Sequence, residues 1–305
     1  MKSDCNGYYK LKNLMKEGVL MLQFLKLDFI DWISFKDIFP IEGVTTSLAE
    51  FAAQYADVQT NWAYTYAGLI GIIILLIKKN KKWYWYLFLL LYMIMSVTSV
   101  GMHTADYGLF QPGVLTTKLL ASYVDMSFTE LVAWCGVCSF ALEFYQTPET
   151  RKKRNIFLIA VSVFAFIVLA ILTYEVFVIH DRPLYFGGGG APMDGKTGGM
   201  SIAEVGCVIT VCPILYLLFD NFKKMTKNER YLLILAVGTM LVAAIITAIW
   251  GDNEIANFAL GNFQGHSTWH MLGALVELIV VFWVDQRTVN KEIAAIKAEK
   301  EQIAA

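Results

Sequence analysis

The chain has 305 residues, of which 57% are hydrophobic and 17% charged, and its formal net charge is -1. Soluble domains run nearer ~45–50% apolar and ~25% charged, so an ordinary soluble globule is excluded. The near-neutral balance gives no basic footprint for nucleic acid.

Residues 1–61 mix apolar clusters with Lys16, Glu17, Lys26, Asp28, Asp31, Lys36 and Asp37. The apolar stretch 19–25 is too short for a span, and no clear small-residue cleavage site marks a signal peptide. This region reads as N-terminal interfacial or soluble helices. Seven apolar segments follow, near 62–77, 83–103, 119–142, 156–178, 202–219, 231–250 and 266–284. The expected fold is all-α, a polytopic membrane protein with a seven-transmembrane helix bundle over 62–285. A cytosolic helical tail follows over 286–305, with Ile293, Ile296 and Ile303 as its apolar stripe. Four of the five cysteines (Cys135, Cys138, Cys207, Cys212) fall inside apolar segments, so they form no disulfide framework. The Cys135-Gly-Val-Cys138 pair reads as small residues for helix packing rather than as a redox motif.

The connections alternate in charge. Basic runs follow segments one (Lys78, Lys79, Lys81, Lys82), three (Arg151 to Arg154) and five (Lys223, Lys224, Lys227, Arg230), and the tail adds Arg287, Lys291, Lys297 and Lys300. The loops after segments two, four and six hold Lys118, then Arg182 and Lys196, then nothing basic. The positive-inside rule therefore puts the C-terminus in the cytosol and, with seven spans, the N-terminus outside. The long loop after segment four carries His180-Asp-Arg-Pro183 and the glycines 187–190. It lacks the lysine–serine/threonine signature of a phosphate loop and reads as a flexible outer loop, a candidate lid.

Histidine is costly at membrane depth without a partner. His266 and His270, four apart, share one helix face and can reach one metal ion. By the topology above, His103 lies at the outer end of segment two and Asp125 about two turns into segment three. Candidate ligands from three helices thus fall at one depth on one side. The charge pattern that sets this depth makes no use of the histidines.

The ordered pattern Ser99, His103, Asp106, Asp125, then His266-x-x-x-His270 resembles the CREST superfamily of seven-helix hydrolases. That family includes the alkaline ceramidases, the progestin/adipoQ receptors and the post-GPI-attachment phospholipase. It carries a serine three positions before a histidine on helix two, where this chain has Ser99 four before His103. An aspartate on helix three and a His-x-x-x-His on helix seven complete the family pattern. The His-x-x-Asp continuation and the Trp-His pair of helix seven look most like the branch holding the phospholipase and the fusion protein myomaker. Residues 1–61, the glycine-rich loop and the tail have no family counterpart.

The residue types suit hydrolysis. Three imidazoles, His103, His266 and His270, bind zinc and leave a fourth position for water. Zinc lowers the pKa of that water to about 7. Asp125 would be the general base, and Ser99 a donor to the developing oxyanion. A site opening into the outer leaflet implies a membrane-lipid substrate, and the resemblance implies ceramidase- or phospholipase-like cleavage of an amide or ester.

Blander readings stand beside these. The two histidines of segment seven also suit interfacial snorkelling, Ser99 helix packing, and Asp106 a helix end. Glu277, on the face of His270 but deeper, is a candidate supporting residue, with Glu130 and Glu204 as similar cases. His180, Asp252 and Glu254 read as solvated, and Trp83 to Tyr86 as an interfacial belt. The competing function is a non-enzymatic zinc-binding fusogen or receptor on the same scaffold. A retinal protein is excluded, because no lysine lies between His266 and Arg287. No paired, broken segments in matching halves suggest a transporter.

Overall fold

The structure is a computed structural model, and it describes residues 48–104, 113–180, 184–187, 199–250, 254–258 and 261–304. Among these residues, seven helices are long and apolar enough to cross a membrane. In hydrocarbon no water can pair with backbone groups, so each apolar segment must satisfy its own, and the helix does so. Helices α1 (Leu48–Ile77), α2 (Trp83–Thr104) and α3 (Thr117–Phe144) come first. A 3-10 turn then leads into α4 (Arg151–Tyr174), which ends in a π turn at Glu175–Ile179. The fifth span is divided into α5a (Ile202–Val211) and α5b (Pro213–Asn221). Helices α6 (Lys227–Trp250) and α7 (Gly265–Ala304) complete the bundle. The all-α seven-helix expectation is met.

Local chemistry sets several boundaries. The Thr116 hydroxyl caps α3 by accepting from Leu119 N at 3.1 Å. Thr226 and Glu229 form a reciprocal capping box at α6, each backbone N–H donating to the other's side chain. Between α1 and α2 the chain reverses through Lys79, whose φ of 52° lies in the left-handed region.

Four features depart from the sequence expectation. Helix α1 begins at Leu48, so the helix that carries the first span, Thr60–Ile77, extends back into the expected N-terminal region. Residues 1–47 lie outside the described residues, as do the expected interfacial helices there. The fifth span is not continuous, because Pro213 supplies no N–H to the preceding turn. The loops after spans four and six carry short antiparallel ribbons, β1 (Leu184–Gly187) with β2 (Gly199–Ser201), and β3 (Glu254–Phe258) with β4 (Gly261–Gln264). Finally, the aromatic run 83–86 is only partly a belt. Trp83 is exposed, but Trp85 is 1% exposed and packs edge-on against Phe88, Phe140 and Trp283. The tail is helical, continuous with α7, and its three isoleucines are exposed. Cys135 and Cys138 are buried free thiols within α3.

Helices α1, α2, α3 and α7 make the centre. Helix α4 packs on α3 and α5a, and α6 packs on α7. The basic connections meet at one end of the bundle around Glu143, whose side chain is fully buried. Lys82 reaches it at 2.9 Å, Arg287 at 3.0 Å and Lys291 at 2.6 Å, and Tyr84 donates its hydroxyl at 2.9 Å. Arg287 also pairs with Glu229 at 3.4 Å and lies over the rings of Phe144 and Trp283. One carboxylate thereby joins α2, α3 and α7, and through Arg287 the start of α6.

Removing the carboxylate leaves three cations facing one another, and breaking a buried ion pair costs about 3–5 kcal/mol. Glu143→Gln is expected to lower the thermal midpoint of the detergent-solubilised protein far more than Lys291→Ala, whose side chain is 39% exposed. Equal midpoints for the two variants would show that Glu143 does not organise this end.

Candidate metal and hydrolytic site

The opposite end of α2 and α7 holds the histidines. Helices α1 and α7 run parallel, with Thr60 against His270, Tyr64 against Gly273, Gly68 against Glu277 and Gly71 against Val281. They approach closely because glycine faces the partner at three of these levels: a Cβ on Gly273 would collide with the Tyr64 hydroxyl, and one on Gly71 would lie 2.9 Å from Val281. Tyr64 donates to the Trp269 carbonyl at 3.3 Å, which fixes the first turns of α7.

His270 is 4% exposed. Its Nδ1 is hydrogen-bonded to the Thr60 hydroxyl at 3.0 Å, and its ring stands edge-on to Tyr64 with centroids 5.8 Å apart. His266, half-buried and one turn outward, has its ring centroid 4.6 Å from that of His270. The α helix thus puts both imidazoles side by side, as their spacing implies.

Helix α2 joins through Ser96, which accepts from Thr65 at 2.7 Å and donates to the Asn61 carbonyl at 2.6 Å. Ser99, one turn further out, is buried and makes no hydrogen bond among the described residues. By contrast, Thr98, Ser127 and Thr129 each donate to a carbonyl in their own helix. The antiparallel register of α2 and α3 pairs Tyr84 with Glu143, Trp85 with Phe140 and Phe88 with Gly136. Continued outward, it sets Ser99 level with Asp125. Asp125 is buried, on the side of α3 that faces Tyr64.

Thr60, Ser99, Asp125 and His270 therefore occupy one layer, with His266 a turn outward. His103 falls a turn outward on α2, but its side chain lies outside the described residues, and so does Asp106. Asp125, His266 and His270 have further partners besides those given above. Among the described residues no group of three or more histidine, cysteine, aspartate or glutamate side chains is arranged to hold a metal. The donor chemistry is compatible with zinc: a metal-ligating histidine has its other ring nitrogen fixed by a hydrogen bond, and Thr60 supplies one to His270.

The other polar candidates separate from this layer. Glu277 is 1% exposed two turns inward, near Tyr64 and Tyr92, and neither of its oxygens has a hydrogen-bond partner among the described residues. Glu130 accepts from Thr210 at 2.6 Å and serves the α3–α5a contact. The side chains of Glu204 and Glu254, and all of Asp252, lie outside the described residues. His180 is half-buried rather than fully solvated; its backbone is left-handed, and its carbonyl accepts from Gly113 N at 3.0 Å. Sequence reasoning missed Thr60 and Tyr64. The polar positions 60, 61, 64 and 65 at helical spacing were their only signal, at a point where the apolar run had barely begun.

Gly273→Ala should cost about 1–3 kcal/mol by overpacking against Tyr64. Tyr64→Phe in the same chain should recover part of that loss, since the hydroxyl is the nearest obstacle. Thermal midpoints of the two single variants and the double variant test this, and strict additivity would refute the contact. A scan against protein-family models finds no match for this chain, and a search of curated proteins finds none either.

Proposed function

We propose that this chain is a zinc-dependent intramembrane hydrolase that cleaves an amide or ester bond of a membrane lipid, akin to the CREST superfamily it resembles. The observation that carries this reading is His270. It is a buried imidazole at membrane depth, held by Thr60, with a second imidazole one turn away and a buried aspartate in the same layer. Burying these groups among apolar helices is expensive, and function is the usual reason for it.

His103, His266 and His270 would hold the zinc. For His270, zinc held on Nε2 would leave the Nδ1–H to donate to the Thr60 hydroxyl, 3.0 Å away. When bound, zinc supplies the Lewis acidity that makes water a nucleophile near neutral pH. Asp125 takes the proton of the attacking water as general base. Ser99, whose hydroxyl is not committed to its own helix, donates to the carbonyl oxygen as charge develops there. Tyr64 keeps both histidines of α7 in place through the Trp269 carbonyl. The basic end of the bundle faces the cytosol, so the N-terminus is exoplasmic and the site opens toward the outer leaflet. A lipid already in that leaflet reaches the site without leaving the membrane.

Elemental analysis of the purified protein tests the reading first, with about one zinc per chain expected. His270→Ala should abolish binding, and Thr60→Val should weaken zinc affinity about 10–100-fold. Asp125→Asn should keep zinc but slow hydrolysis of bilayer-borne ceramide or phospholipid by about 10²–10⁴-fold. A wild-type chain that takes up no zinc from a buffered zinc solution sinks the proposal. Zinc without hydrolysis of either lipid class points instead to a zinc-binding fusogen or receptor.

A further inference from the structure

Away from the histidine end, the division of the fifth span opens a groove. Helix α5a packs tightly on α4, where a Cβ on Gly206 would lie 2.6 Å from Val168 Cγ1. After the break at Pro213, α5b packs mainly on α3 and meets α4 through Lys153, which pairs with Asp220. Between α4 and α5b, near the basic end, lies an open groove of about 560 Å³. Its walls are Ile156, Phe157 and Ala160 from α4 and Tyr216 from α5b. Ile156 and Tyr216 are 59% and 50% exposed on a membrane-spanning surface, so the groove faces lipid.

Charge gathers at its mouth, where Glu149, Lys152 and Lys153 lie. Lys153 is already engaged: it pairs with Asp220 at 2.8 Å and lies over the rings of Tyr145 and Tyr216. Tyr145 donates to the same Asp220 at 2.8 Å, so this wall is held in place by its own polar contacts. Lys152 is exposed and has no ion pair or hydrogen bond among the described residues. Residues 149–154 and 220–224 together carry six cationic side chains against two carboxylates, Glu149 and Asp220. An apolar groove that rises to an excess of positive charge at headgroup level matches an acyl chain joined to a phosphate.

We propose that the groove between α4 and α5b binds one anionic glycerophospholipid, its acyl chain along Ile156, Phe157 and Ala160 and its phosphate at Lys152. The occupant is a structural or regulatory lipid rather than a substrate, because the groove lies at the end of the bundle opposite the histidines. Nothing in this inference depends on hydrolysis or on zinc.

Native mass spectrometry of the full chain tests it, with phosphatidylglycerol or phosphatidylcholine added to the detergent-purified protein. One phosphatidylglycerol should be retained in preference to phosphatidylcholine. Lys152→Glu should lower that retention by about fivefold or more, the effect of one basic residue at an anionic surface. Ala160→Trp should lower it comparably with every charge intact. Ile156→Trp offers a second way to fill the groove should Ala160→Trp lose its folded state, and both positions are exposed. Lys79→Glu, on the α1–α2 connection, should have no effect. Equal retention of phosphatidylcholine, a groove-filling variant that changes nothing, or a Lys79→Glu effect as large as that of Lys152→Glu would each overturn the proposal. The last of these would reduce it to diffuse attraction.

Discussion

The Glu143 carboxylate is the constraint on which the bundle rests. Lipid tails are as apolar as leucine, so helices in a bilayer gain little by hiding apolar surface from one another. Association must come from close packing and from polar ties. Glu143 supplies the ties, since Lys82, just before α2, and Arg287 and Lys291 of α7 are drawn to one buried anion. Just beneath, Trp85, Phe140, Phe144 and Trp283 form an aromatic layer, with Phe140 and Trp283 centroids 5.1 Å apart, and Arg287 caps it from above. Fixing α2 against α3 here fixes their register along their whole length. That register is what brings Ser99 level with Asp125 at the far end.

The α1–α7 seam works by the other means. Gly68, Gly71 and Gly273 remove side chains where the two helices cross, and Tyr64, Leu89, Met93 and Val281 fill the space. The seam is narrow enough for Thr60 to reach His270 and for Tyr64 to reach the backbone of Trp269. Close packing at the glycines and polar contact at the histidines are therefore one structural fact. Widening the first would release the second.

The seven spans were legible because each is a long apolar run bounded by charge, and the collection of basic connections at one end was legible because they alternate along the chain. What stayed hidden depends on pairing between distant segments. Glu143 falls just past the third apolar run, and nothing local shows that three cations converge on it. Trp85 looked interfacial because composition cannot say which face of a helix meets a neighbour. Pro213 was visible, yet an apolar average over residues 202–219 runs straight across it. The ribbons β1–β2 and β3–β4 are too short and too rich in glycine to show a period of two. The helical spacing of His266 and His270 was legible, because one turn of helix decides it. The contact with Thr60 was not, because it spans 210 positions.

The buried polar groups divide by how they are satisfied. At the basic end the charges compensate one another, which describes a scaffold. Along α2 and α3 the hydroxyls of Thr98, Ser127 and Thr129 return their protons to their own helix, and Glu130 is met by Thr210, so these residues cost little and do little else. Near the histidines other hydroxyls reach across to a neighbouring helix: Thr65 to Ser96, Ser96 to the backbone of Asn61, and Thr60 to an imidazole. A membrane helix that needed only to pack would fill these positions with alanine or leucine and lose no stability. Here side chains orient one another across helices around the buried His270 and hold donors and acceptors in fixed geometry, the arrangement on which the proposed hydrolytic role rests.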